Sequence, residues 1–386
     1  MERGKVTDIY DTQQKMVIVI AALVPSLMMG IYIFGSEALI LTLVCVAAAV
    51  AADWLAGKAI GTVGGTVGDG SEGNRNATPG DRDEGTASGE RGGAMQSRPS
   101  GNVFTGPLNG LYHGAYSGDI RDLTAVVTGM ILAFSLPARL PLWMAAAGSV
   151  MAIVVFKYLL GGLMDRIACP ALAARIVMLI LFRGPMTEWP LNDFVKTSYD
   201  EPGAVNGSTP LTMLAEGKEI PGLLRMFIGF VSGPCGAASV AAILIGGLYL
   251  IWKKIISPKI PAAIIAVVFI SALIYYVAAV DSDEVMNGMG RSALYMAVFH
   301  LFTGGVLFTA FFCAPLCEEA LESSRKLAVY AAGIGLITMA VRFWGTFEDG
   351  AALAVVVMNI IMCVWALAAG KNHMARPDDG NAYKEK

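Results

Sequence analysis

Apolar residues in this chain come in long runs separated by short polar or proline-marked joints. A helix that crosses a bilayer needs about 20 mainly apolar residues. Ten runs approach that length, near 16–34, 37–56, 121–137, 140–162, 170–184, 235–252, 258–280, 292–314, 326–344 and 349–370. The third and fifth are short and slightly polar. Pro137, Pro141, Pro170, Pro258 and Pro261 sit at run edges, where a helix starts or stops without losing interior hydrogen bonds. The pattern predicts an all-α integral membrane protein of about ten transmembrane helices.

The joints carry further information. Residues 59–118 are rich in Gly, Ser and charge with almost nothing to bury, and their composition reads as a disordered insertion. The expected segments are a 1–15 N-terminus, helices within 16–58, this insertion, helices within 119–184, a loop over 185–221, helices within 222–370 and a solvated tail over 371–386. Lys and Arg collect at alternate joints: Lys58, Arg166, Lys253, Lys254, Lys259, Arg325 and Lys326 fall on the side of both termini. The positive-inside rule then places both termini in the cytoplasm and the 185–221 loop on the outer face. Five runs per half allow two inverted five-helix halves, a plan common in membrane transport proteins. "TGMILAF" (128–134) and "TGGVLFTAFF" (303–312) fall five runs apart, as that plan needs.

Composition agrees. The 386 residues are 55% hydrophobic and 15% charged, against roughly a quarter charged in soluble domains. A net charge of −3 gives no reason to expect a nucleic-acid partner; the bilayer is the expected one. Six scattered cysteines make no secreted disulfide framework, and the first run ends in no small-residue cleavage site.

Candidate chemistry concentrates in "GAVNGSTPLTMLAEG" (203–217) of the outer loop. Pro210 at a first helical position would make Thr209 an N-cap, worth about 1 kcal/mol. The same hydroxyl, with small neighbours Gly207 and Ser208, suits phosphoester attachment, and a helix N-terminus stabilises a phosphate. The two roles are compatible. Arg175 in "CPALAAR" leads toward this loop and could pair with a phosphate or a structural carboxylate. His300, near the middle of the eighth run, could serve ion or proton movement or bond a neighbouring helix. Cys313 and Cys317 are four apart, the spacing of one helix face, and read as a metal pair or as small apolar residues with Pro315 between them. Arg121 and Asp122 suit interfacial anchors. Thr78 in "RNATPG" lies in the wrong loop, and Asn206-Gly207-Ser208 is also a chance glycosylation pattern.

Several collinear stretches carry a resemblance: "VIVIAALVPSLMMGIYIFG", "RDLTAVVTGMILAFSLPARLPLWMAAAGSVMAIVVFKYLLGG", "CPALAAR", "NGSTPL", "LIGGLYLIWKKIISPKIP", "FHLFTGGVLFTAFF" and "AAGIGLITMAVRFWGTFEDGAALAVVVMNI". With them the chain resembles the RnfD component of Rnf electron-transport complexes, related to the NqrB component of the sodium-pumping NADH:quinone reductase. The resemblance implies a ten-helix component of an ion-translocating ferredoxin:NAD⁺ oxidoreductase, without turnover on its own. It implies FMN joined by a phosphoester to a threonine between spans five and six, a bond made by a flavin transferase using FAD. The matching position is Thr209, flanked by Gly207, Ser208 and Pro210, with Arg175 on the helix leading in. Asn206 stands where the family commonly has Ser, and Ser208 where it has Ala. A non-covalent riboflavin among the helices is also implied. So are partners: the FMN-bearing G component and the membrane components A and E of the Rnf complex. "FCAPLCEEALESS" departs from the family's usual exit from span eight. The quinone-reducing sister protein and a flavin-free ten-helix transporter are the alternative readings.

Overall fold

The computed structural model describes residues 2–68, 123–160, 169–191, 206–278, 292–316, 323–345 and 350–368. Most of the expected 59–118 insertion, Thr78, Arg121, Asp122, Cys317 and the 371–386 tail lie outside the described residues. What is described is mostly helical, as the apolar runs require.

Helices α1 (Glu2–Phe34) and α2 (Ser36–Gly68) form a hairpin. The joint is a single residue, Gly35, at φ +71°, a left-handed conformation that favours glycine. Then follow α3 (Leu123–Ser135), α4 (Leu142–Met151) continued by a π-helical stretch Ala152–Leu159, α5 (Pro170–Leu181) and the short α6 (Arg183–Thr187). Two residues of β1 (Trp189–Pro190) pair antiparallel with β2 (Asn206–Gly207). The rest of the chain carries α7 (Pro210–Ala215), α8 (Leu223–Ile228), α9 (Val240–Trp252), α10 (Lys259–Ala278), α11 (Ala293–Phe302), α12 (Val306–Phe308) with a π-helical continuation Thr309–Cys313, α13 (Ser324–Trp344) and α14 (Gly350–Ala368).

Among the described residues five helices are long and apolar enough to cross a membrane: Gln13–Phe34, Ser36–Ala59, Leu142–Leu159, Lys259–Ala278 and Ser324–Trp344. A bent pair, Ala293–Phe302 with Val306–Leu316 at 59°, makes a sixth if it is counted as one span. Leu123–Ser135, Pro170–Leu181, Val240–Trp252 and Gly350–Trp365 are apolar but shorter. Two expectations change here. The eighth run is not one helix, because Gly304 and Gly305 both take positive φ (59° and 65°) and stop it. The sixth begins at Val240, since residues 235–239 leave the helix to pack on the end of α3.

One contact pattern occurs twice. In the first set α2 packs on α3 and α4; in the second α10 packs on α11 and α13. The first helices of the two sets, α1 and α9, lie together, and so do the last, α5 and α14. Small residues permit the close crossings: Gly246 of α9 rests on the Ala22 backbone, and Gly129 of α3 on Val46 of α2.

One buried polar cluster inside this packing is paired within itself. The Lys157 ammonium, in the π-helical stretch, meets the Asp53 carboxylate of α2 at 2.7 Å, with side chains 10% and 5% exposed. Lys157 also donates to Thr124 (2.9 Å), and the Tyr158 hydroxyl donates to the same Asp53 oxygen (3.1 Å). Removing one member strands the other in the apolar interior, at a cost of about 3–5 kcal/mol, whereas replacing both with apolar residues is close to neutral. Asp53→Ala is therefore expected to lower the thermal unfolding midpoint in detergent well below that of the Asp53→Leu/Lys157→Met double variant. Equal loss in both variants would show that the pair is not energetically coupled.

Candidate functional site

Four separate parts of the chain converge on one cavity of about 500 Å³, counted to its open mouth. α5 brings Arg175, the β1–β2 clamp brings Trp189 and Thr209, the segment after α8 brings Val231 to Ala238, and the break between α11 and α12 brings Phe302 to Gly305. Each arrives for a local reason.

The clamp is set by two backbone pairings, Trp189 with Gly207 and Pro190 with Asn206, and by the Asn206 amide donating to Glu188 (3.2 Å). At Gly207 a side chain would press on the Leu191 and Ser232 side chains, which would have to shift to admit it. Two residues on, Thr209 is in extended conformation (φ −70°, ψ 158°) and caps α7 with Pro210 in its first turn. Its hydroxyl oxygen accepts from Thr212 N–H at 3.2 Å. The Thr212 hydroxyl donates to the Thr209 carbonyl at 2.8 Å, and the two hydroxyls lie 3.0 Å apart, so Thr209 is left to donate to Thr212. Thr209 is 9% exposed, at the wall of the cavity.

Residues 231–238 are held on the end of α3. Cys235 N–H donates to Leu136 O (3.2 Å), Gly236 N–H to Phe134 O (3.1 Å), and the Cys235 thiol to Ala133 O (3.0 Å). These bonds satisfy carbonyls that a helix end otherwise leaves bare. At the break, Arg342 of α13 does the same, its guanidinium donating to His300 O and to Thr303 O, the second at 2.8 Å. His300 is buried, and its Nε2 lies 3.1 Å from the Tyr276 hydroxyl of α10, while its Nδ1 meets no hydrogen-bonding atom. The neighbouring-helix reading of His300 is thus the geometry found.

Of the residues singled out by sequence, Thr209, Pro210 and Arg175 share the cavity. Gly207 and Ser208 shape the approach without lining it. Arg175 is 6% exposed and supplies a cation to the same space as the Thr209 hydroxyl. Trp189, Ser232, Thr303 and Arg342 were not foreseen. Among the described residues no group of three or more His, Cys, Asp or Glu could hold a metal ion.

The description "NQR2, RnfD, RnfE family" matches residues 4–72 and 109–367. The chain belongs to that family. The unmatched stretch between the two blocks falls inside the Gly/Ser-rich segment. Among curated relatives, the D component of the Na(+)-translocating ferredoxin:NAD(+) oxidoreductase complex of Acetobacterium woodii is 37% identical over 248 residues, covering 62% of this chain and 69% of that protein. The D component of the ion-translocating oxidoreductase complex is 30% identical in Pseudomonas aeruginosa (256 residues) and in Halorhodospira halophila (266 residues), each covering 62% of this chain and 71% of the relative.

The break yields a graded expectation. A non-glycine residue in left-handed conformation costs about 1–2 kcal/mol. A methyl at Gly305 meets nothing within 4 Å, whereas at Gly304 it presses on Arg342 and, at 2.8 Å, on Leu211. Gly304→Ala is therefore expected to destabilise more than Gly305→Ala, read as unfolding midpoints in detergent. The reverse order would mean that Arg342 and Leu211 yield without cost.

Proposed function

We propose that this chain is the RnfD component of an ion-translocating ferredoxin:NAD⁺ oxidoreductase complex and carries electrons through FMN esterified to Thr209. The observation that carries the reading is the meeting of the Thr209 hydroxyl and the Arg175 guanidinium on one cavity of about 500 Å³. The names of the relatives at 37% and 30% identity favour it over the quinone-reducing sister.

The residues present fit the group. When bound, the flavin ring supplies the redox chemistry, and the protein supplies position and electrostatics. Thr209 provides the attachment oxygen. An ester oxygen still accepts from Thr212 N–H, so α7 keeps its cap when the hydroxyl proton is lost. Arg175 holds a phosphate by charge-assisted hydrogen bonds, and its burial strengthens them. Trp189 and Phe302 give apolar walls that exclude water, and Ser232 and Thr303 give hydrogen-bonding edges.

The wider reading follows the family. In this reading the five long helices, the bent pair and the four shorter apolar helices account for ten crossings, and the repeated contact pattern supports two inverted halves of five. Both termini face the cytoplasm and the Thr209 loop faces outward. The partners are the G component, the membrane components A and E, and the transferase that attaches the flavin. A non-covalent riboflavin completes the cofactor set. The chain has no turnover alone. A flavin-free transporter is the second reading, favoured by the broken span, since discontinuous helices build transporter sites.

The test is ultraviolet in-gel fluorescence of denatured protein co-expressed with an active flavin transferase. The parent, Thr209→Ser and Thr78→Val are expected to fluoresce, and Thr209→Val to be dark. A dark parent, with the transferase working on another substrate, would remove the flavin reading and leave transport as the function to assay.

A further inference from the structure

The Thr209 hydroxyl is held on two sides by one residue. Its oxygen accepts from Thr212 N–H at 3.2 Å. Its proton goes to the Thr212 hydroxyl oxygen, 3.0 Å away. The direction of that bond follows from a third one, in which the Thr212 hydroxyl donates its own proton to the Thr209 carbonyl at 2.8 Å. A threonine hydroxyl has one proton and two acceptor lone pairs. On Thr209 the proton and one lone pair are therefore committed, and one lone pair is left. Thr209 lines the cavity, and Thr212 does not.

Capping needs only the first of these bonds. It is made by the backbone of Thr212 and survives a change of its side chain. Thr212 holds the third helical position of α7, where Glu or Gln commonly reaches back to the N–H of the capping residue. Here the side chain at that position bonds both oxygens of Thr209 instead. The Thr212 hydroxyl thus does something that the helix start does not ask of it.

We propose that Thr212 is the positioning residue for flavin attachment, holding the Thr209 hydroxyl with its proton turned aside and one lone pair open to phosphorus. The proposal rests on the reading of Thr209 as the FMN site. In the transfer, the Thr209 oxygen bonds to the FMN-side phosphorus of FAD and the P–O bond to the AMP half breaks. AMP leaves with the bridging oxygen, and the Thr209 proton is released to water. Thr212 forms no bond to phosphorus and keeps its own proton. Its contribution is orientation: a hydroxyl already held with one open lone pair needs no further ordering before it attacks. The same bonds choose among neighbouring hydroxyls. Ser208 lies outside the cavity lining, and the Thr212 hydroxyl is spent on Thr209.

The test measures the rate of attachment. Full-length chain made without the transferase is incubated in detergent with purified transferase and FAD, and flavin is read by in-gel fluorescence and peptide mass. Thr212→Val is expected to slow attachment about tenfold, the size of one lost hydrogen bond, through kcat and not through the KM for the chain. Thr212→Ser is expected to attach at the parent rate, and peptide fragmentation to place the FMN mass on Thr209 throughout. Unfolding midpoints report folding separately. If Thr212→Val folds poorly, Thr212→Ala removes the same hydroxyl with a better helix former. Attachment at the parent rate without the hydroxyl, a rise in KM alone, or a Thr212→Ser variant as slow as Thr212→Val would each overturn the proposal and leave Thr209 as the site. A dark parent would overturn the flavin reading itself, and this proposal with it.

Discussion

Inside a bilayer every backbone N–H and C=O has to find a partner in the protein, because lipid offers none. Regular helix meets that demand by itself; a chain that leaves the helix must be met by something else. At two places this chain leaves the helix beside the same cavity, and each exit has its own partner. The carbonyls ending α3 are taken by the N–H groups of Cys235 and Gly236. Those ending α11 are taken by the guanidinium of Arg342. Neither answer is available locally, so each exit binds remote segments together. The cavity exists because of these exits: where helices stop, glycines and bare backbone leave space that packed side chains would have filled.

The Thr209 loop depends on the same constraint at smaller scale. Two paired residues on each side suffice to fix it because Gly207 admits the close approach to Leu191. Once the clamp is closed, the cap of α7 determines where the Thr209 hydroxyl oxygen lies, and its contacts with the N–H and hydroxyl of Thr212 hold it there. A side chain chosen only as a cap would face solvent without loss. This one is 9% exposed and shares the cavity wall with Arg175, an arrangement that capping alone does not require.

Sequence reading succeeded where the physics is local. Run length announced the helices, Pro210 announced the cap on Thr209, and the basic residue in "CPALAAR" drew notice because it leads toward the Thr209 loop and can pair with a phosphate. It failed where one residue's role is set by a partner far away. "TGGVLFTAFF" displayed its two glycines openly, yet a Gly pair in an apolar run is also ordinary helix packing. Only the position of Arg342 on another helix distinguishes the two. Residues 235–239 were assigned to a helix because they are apolar, though the N–H groups of Cys235 and Gly236 are committed to α3.

Helix length ties these features together. α3 and α9 have 13 residues each and α5 has 12, so each rises about 18–20 Å against a hydrocarbon core of about 30 Å. Of these, α5 lines the cavity with Arg175, and the segment that runs from the end of α3 into α9 lines it with Ser232, Pro234 and Ala238. For α9 to cross, the non-helical chain before Val240 must make up the missing depth, and irregular backbone is tolerated there only when protein covers it. The bonds from Cys235 and Gly236 to α3 provide that cover. Short helices and a buried irregular segment are therefore one feature, and the space they leave is where a cofactor can enter a bundle without displacing a helix.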